Sequence, residues 1–203
     1  MGGGKMSTVV VVVKNGTACI AGDSLTTFGR EKLGADYVEK ADKIECFGNS
    51  YLGFVGSSAH EMVFQSIFSR ESEPPRFKNR LEIFEYFRKL HSQLKKEYYL
   101  NPKDEEDDPY ESSQFSIMIA NPHGIFSIFD LREVYEYTKF WAMGSGTKYA
   151  LGAMHTVYGP SDSAEEIARM GVEAGAEFDG ATSVPITSYT VELAEKEREK
   201  NTI

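Results

Sequence analysis

Ser7-Thr8 and Asp23 are the polar ends of an otherwise apolar stretch. Val9 to Val13 follow the hydroxyl pair, and Ala18-Cys19-Ile20-Ala21-Gly22 leads to the carboxylate. Asn15-Gly16 lies between them and suits the positive φ angles of a two-residue hairpin. An antiparallel hairpin returns its end to its beginning, so Asp23 is expected beside Ser7. A serine hydroxyl is a candidate nucleophile, but it needs a base to take its proton. There is no Gly-x-Ser-x-Gly elbow, and His60, His91, His123 and His155 are scattered. Another base exists if the chain is cut before Ser7. A free α-amine has a reference pKa of about 7.7–8.0, so part of it is unprotonated at neutral pH. Hydroxyl and base would then belong to one residue, with Asp23 and a nearby lysine to tune and orient them. Taken alone, Ser7 is an ordinary strand-edge hydroxyl.

The valine run is too continuous for a strand with one wet face, and predicts a strand covered on both sides. A loop, Ser24 to Glu39, follows the hairpin. Lys43 to Phe47 and Tyr51 to Gly56 read as a second strand pair around Gly48-Asn49-Ser50. Ser57-Ser58 then caps a helix with Ala59, Met62, Val63 and Ile67 on one face. Ile83, Phe87, Leu90 and Leu94 recur at helical spacing through about residue 99. The acidic run 101–109 is expected to be a solvated linker rather than a metal loop. Phe115 to Ala120, Ile125 to Phe129, Glu133 to Tyr137 and Phe140 to Met143 are predicted strands. A helix follows through Tyr158. Ser163-Ala164-Glu165-Glu166 is a capping box for another, running to about Glu177. Ile186 to Leu193 is the last strand, and Ala194 to Lys200 a charged tail, helical or frayed.

This order excludes an alternating βαβ sheet. It predicts an α+β protein, a four-layer αββα sandwich of two antiparallel sheets flanked by helix pairs. The 203 residues suit one domain with a sizeable core. A net charge of −9 argues against a nucleic-acid partner. No apolar run is long enough for a bilayer, and residues 1–6 lack the apolar core of a secretion signal. The expectation is a cytoplasmic chain with no membrane partner. Cys19 and Cys46 are expected as buried free thiols rather than a disulfide. No paired Cys/His spacing for zinc exists. Gly144-Ser145-Gly146 lacks a following Lys-Ser/Thr at the spacing of a phosphate loop. No metal or cofactor is expected.

Several segments, in order, resemble one family. Ser7 through Asn15-Gly16, with Ile20-Ala21-Gly22-Asp23-Ser24, resembles the opening of proteasome β-subunits and of their bacterial relative, the HslV peptidase. Ala41-Asp42-Lys43-Ile44 is similar to that family's lysine strand, and Gly53-Phe54-Val55-Gly56-Ser57-Ser58-Ala59 to its glycine-rich turn before the first helix. Ala142-Met143-Gly144-Ser145-Gly146 resembles its Gly-Ser-Gly, Tyr149 to Ala153 its third helix, and Asp179 with Thr182 its late Asp-x-x-Ser. The resemblance spans Ser7 to about Leu193 and is tightest to the small bacterial proteasome homologues outside HslV.

The resemblance implies a threonine-type endopeptidase of the N-terminal-nucleophile class, with serine as the nucleophile. Ser7 would attack and its amine would serve as base. Lys43 would hold a positive charge beside the hydroxyl, with Lys40 competing for that role, and Asp23 would orient the lysine. Ser145 and Asp179 would bond near the amine, supported by Thr182. The Gly56 amide would be the oxyanion donor. Main chain near Thr27 and Ser58 would pair with an extended polypeptide substrate. Phe54 would floor and narrow the first side-chain pocket. Residues 1–6 would be a leader or tag, 7–193 a single peptidase domain, and 194–203 the tail.

Two positions depart from the family. Ser7 stands where threonine is usual, and loses the methyl that restricts χ1. Met6 stands where glycine usually precedes the cut. Either self-cleavage is poor, or the native chain starts at Met6 and loses it. The implied assembly is a homo-oligomer of two stacked rings, seven-membered in preference to six, with sites facing a chamber. An ATP-dependent unfoldase is an allowed partner. The competing expectations are a non-catalytic shell subunit with a blocked Ser7 and an amidase of the same class acting on small amides.

Overall fold

The computed structural model describes residues 7–103 and 106–195. Residues 1–6, read as a leader or tag, lie outside them, as does the charged tail beyond Glu195. β1 (Thr8–Lys14) and β2 (Thr17–Asp23) form the expected hairpin, with Asn15 and Gly16 at φ +48° and +80°. The segment expected as a plain loop carries a small hairpin, β3 (Thr26–Phe28) and β4 (Glu31–Leu33), then a short 3-10 turn at Ala35–Tyr37. Its strands are three residues long with no buried residue, so no apolar alternation marks them. β5 (Ile44–Phe47) and β6 (Ser50–Gly56) precede α1 (Ala59–Phe68) and α2 (Arg80–Glu97). β7 (Phe115–Asn121), β8 (Gly124–Ile128), β9 (Val134–Tyr137) and β10 (Phe140–Gly144) follow. α3 (Thr147–Val157), α4 (Ala164–Phe178) and β11 (Ile186–Glu192) complete the chain.

Two antiparallel sheets stack, in strand orders β10-β1-β2-β11 and β5-β6-β7-β8-β9. The valine strand explains the layering. Val9 and Val11 face the second sheet, with Ile44, Val55, Met118 and Ile125. Val10 and Val12 face the other way, onto Ala150, Met154, Ile167 and Val172 of α3 and α4. Both faces of β1 are therefore dry. Across the second sheet, Leu52, Ile117, Ile119 and Phe126 pack under Phe64, Ile83, Phe87 and Leu94 of α1 and α2. The architecture is the four-layer αββα sandwich expected from the sequence.

Burial expectations fail at Ala59 and Met62 on α1 and at Cys46. Met62 is 69% exposed, and Phe64 takes the buried position on α1. Cys46 is exposed because β5 is an edge strand with a neighbour on one side only. Cys19 is buried and free, and burial pushes its thiol pKa up to about 12, which leaves it inert. Ser163 caps α4 by accepting from the Glu166 amide at 3.1 Å, while the Glu166 carboxylate takes the Ser161 hydroxyl. The acidic run is largely exposed where described.

Candidate active site

The hairpin register sets Asp23 beside the strand start: Val9 pairs with Gly22, and Thr8 donates its amide to Asp23 Oδ1 at 2.8 Å. Asp23 is completely buried. Its Oδ2 accepts from the amides of Leu25 (3.0 Å) and Ser183 (3.3 Å). Three amides and a cation thus satisfy the oxygens of this buried carboxylate. The cation comes from the opposite sheet. Lys43 lies just before β5, its carbonyl accepting from the Phe54 amide at 3.1 Å. Lys43 Nζ donates to Asp23 Oδ1 at 2.9 Å and to Ser7 Oγ at 3.0 Å. Its side chain is only 15% exposed. Burial lowers the Lys43 pKa, and the charges of Asp23 and Asp179 only partly offset this. Lys40 is elsewhere, 51% exposed and paired with Glu45 at 2.5 Å.

A second set of groups surrounds the Ser7 nitrogen. That nitrogen donates to Ser145 Oγ at 3.3 Å. Ser145 Oγ donates to Asp179 Oδ2 at 2.6 Å, and Thr182 Oγ1 donates to the same oxygen at 2.6 Å. Thr182 also meets Thr8 Oγ1 at 2.8 Å. Asp179 ends α4 and Ser145 opens the turn into α3, so two helix ends supply this network. The glycines flanking Ser145 are there for space. A Cβ on Gly144 would fall 2.0 Å from the Ser7 carbonyl oxygen, and one on Gly146 would fall 2.0 Å from Thr8 Oγ1. Gly144 also sits at φ +99°, where side chains are strained. Ser7 itself is held at φ +147°, a costly conformation for a non-glycine residue.

A cleft of about 620 Å³ opens beside the hydroxyl, lined in part by Ser7, Thr27, Lys43, Phe54, Gly56 and Ser58. Gly56, at φ +145°, ends β6 on its wall. Thus Ser7, Asp23 and Lys43 form one bonded group, and Ser145, Asp179 and Thr182 another that meets it at Ser7. Thr27, Phe54, Gly56 and Ser58 belong to the cleft. Sequence reasoning gave Thr8 no role beyond the hydroxyl pair. It alternates to the helix side of β1, and Gly175 of α4 leaves room for it. The signal was present: a hydroxyl at a strand start facing a glycine-rich helix. Among the described residues, no cluster of three or more His, Cys, Asp or Glu could hold a metal ion, and no helix is long and apolar enough to cross a membrane.

Comparison with known proteins bears on the fold and the family. The proteasome subunit family model matches residues 4–191. The structure is similar to the Thiobacillus denitrificans BPH, solved in complex with epoxomicin, with a TM-score of 0.87 and 41% identity over 93% of this chain and 100% of that one. The same organism's BPH solved under that name alone gives 0.87 and 42% identity, over 92% of this chain and 98% of that one. The eukaryotic HslV of Trypanosoma brucei shares the fold at a TM-score of 0.64 and 19% identity, over 91% and 99% of the two chains. No curated protein matches. With the family model spanning nearly the whole domain and the BPH fold superposing end to end, this chain belongs to the proteasome subunit family.

Proposed function

We propose that the protein is a proteasome-like endopeptidase subunit that hydrolyses peptide bonds with Ser7, once residues 1–6 are removed. The observation that carries this reading is Lys43 Nζ, bonded at once to Ser7 Oγ and to the buried Asp23. In the uncut chain Ser7 has no free amine, and its hydroxyl oxygen accepts from Lys43 Nζ. The strained φ of Ser7 lies at the bond to be cut.

In the mature chain the free amine replaces the amide that now donates to Ser145 Oγ. It takes the Ser7 proton as Oγ attacks the substrate carbonyl carbon. Lys43, charged, stabilises the developing alkoxide, and Asp23 holds the lysine in place. The tetrahedral oxyanion would bond to the Gly56 amide, a donor in place before charge develops. The amine's proton passes to the leaving nitrogen, the C–N bond breaks and an ester on Ser7 remains. Water then adds to the ester carbonyl, giving its proton to the amine, and the acid and the Ser7 hydroxyl are released. Ser145, Asp179 and Thr182 orient the amine. The substrate backbone lies extended along Thr27 and Ser58 as an added strand, with a side chain toward Phe54.

The subunit would work in two stacked rings, seven-membered in preference to six, in the cytoplasm, fed by an ATP-dependent unfoldase where the substrate is folded. A fluorogenic peptide should be cleaved by mature protein and not by Ser7→Ala; equal rates would refute the mechanism. A second reading, an unprocessed shell subunit, draws on Met6 before Ser7. Intact-mass spectrometry separates the two: a chain beginning at Ser7 supports the peptidase, and one retaining residues 1–6 supports the shell.

A further inference from the structure

Four carboxylates, Asp42, Glu45, Glu61 and Asp130, line the Ser7 cleft among the described residues, against one lysine. That lysine, Lys43, is already matched by Asp23 behind it. The cleft lining therefore carries more carboxylates than cations, with Lys40 pairing Glu45 from outside it.

Position narrows this to two residues. Lys43 and Glu45 share a face of their strand, being two residues apart, so their Cα atoms are about 7 Å apart along it. Phe54, beside Lys43 in the sheet, belongs to the same face, its ring tilted against that of Phe64 with centroids 4.7 Å apart. Glu61 comes from the first turn of α1. Gln65, one helical turn further, donates its amide to Glu45 Oε1 at 2.8 Å and to Glu61 Oε1 at 3.4 Å, tying the carboxylates together. Burial and the Glu45 charge raise the Glu61 pKa, as expected for two acids forced together. Lys40 touches Glu45 but is half exposed and does not line the cleft. His60 adds a buried Nδ1 with no hydrogen-bond partner among the described residues. Burial lowers the His60 pKa, and a backbone bond at Ser57 partly opposes this.

Resting on the peptidase reading, we propose that Glu45 and Glu61 select substrates with a basic side chain, arginine or lysine, on the acyl side of the scissile bond. Its aliphatic stem would lie on Phe54 and its cation would reach the two carboxylates. An acidic side chain would be repelled.

The test has two arms. Mature protein is given peptides that differ only in that residue: arginine, leucine or glutamate. The arginine peptide should exceed the leucine peptide in kcat/KM by about tenfold, the scale of two partly screened charge contacts. Glutamate should be slowest. In Glu45→Gln/Glu61→Gln, and partly in Glu61→Gln alone, the arginine-to-leucine ratio should fall toward one. The second arm measures binding of the labelled peptides to Ser7→Ala by fluorescence anisotropy, where the same preference should weaken with salt. A leucine or glutamate preference in binding, or a ratio untouched by the glutamine variants, overturns the proposal. Arginine-selective binding without Ser7-dependent turnover sinks the peptidase reading alone and leaves the cleft assignment standing.

Discussion

Lys43 is the residue on which the proposed chemistry turns. Replacing it with methionine keeps most of the volume and removes the charge beside Ser7 Oγ. Loss of a charge positioned in advance costs about 10²–10³ in kcat. Steady-state kinetics of Lys43→Met should show that fall, with the peptide affinity of a Ser7→Ala background much less affected. The lysine also sets a pH dependence of stability. Its folded pKa is below the unfolded reference of about 10.4. A depressed folded pKa means the unfolded chain binds the proton more tightly. Stability is therefore gained as pH rises from the folded value to the unfolded one, and lost as pH falls back through the folded pKa. Denaturant midpoints of the native protein relative to Lys43→Met should climb over that alkaline window; a flat difference would contradict the shift. Which lysine meets Ser7 was left open by sequence, since Lys40 and Lys43 differ only in spacing. The strand geometry separates them: Lys43 is placed against β6 facing Ser7, and Lys40 remains on the surface.

At the scale of elements, the helix ends and turns hold the second group. Gly144→Ala would place a methyl on the Ser7 carbonyl and force a side chain into positive φ. We expect a loss of about 2 kcal/mol or more, read by thermal unfolding, together with loss of activity. Ser163→Ala removes only the α4 cap, so it should cost about 1 kcal/mol and leave the cleft chemistry in place. The regular elements were legible because their patterns are strong: five valines, Asn-Gly, and the Ile83-Phe87-Leu90-Leu94 stripe. Most predicted bounds lie within a residue or two of the observed ones. The β3–β4 hairpin was not legible, because three-residue strands with no buried residue carry no periodicity. Met62 was misplaced because apolar type was taken for burial; on α1 the side facing the sheet is set by Phe64 and Ile67.

At the scale of the molecule, the prediction is assembly. Native mass spectrometry should give a particle of two rings of seven; a stable monomer would refute the proposed assembly. Order along the chain was enough to derive the layered architecture, since a strand apolar on both faces needs cover on both sides and the helices fall in two pairs. The hairpin likewise determined locally that Asp23 returns to the strand start. What only the tertiary structure decided is the meeting of parts far apart in sequence. Lys43 reaches Ser7 from the facing sheet, Ser145 and Asp179 from two helix ends, and Glu61 comes from a helix beside Glu45. Residue type and local spacing determine strands and turns because those depend on neighbours. Bonds across 36 or 138 residues depend on how the layers close, and no local pattern encodes that.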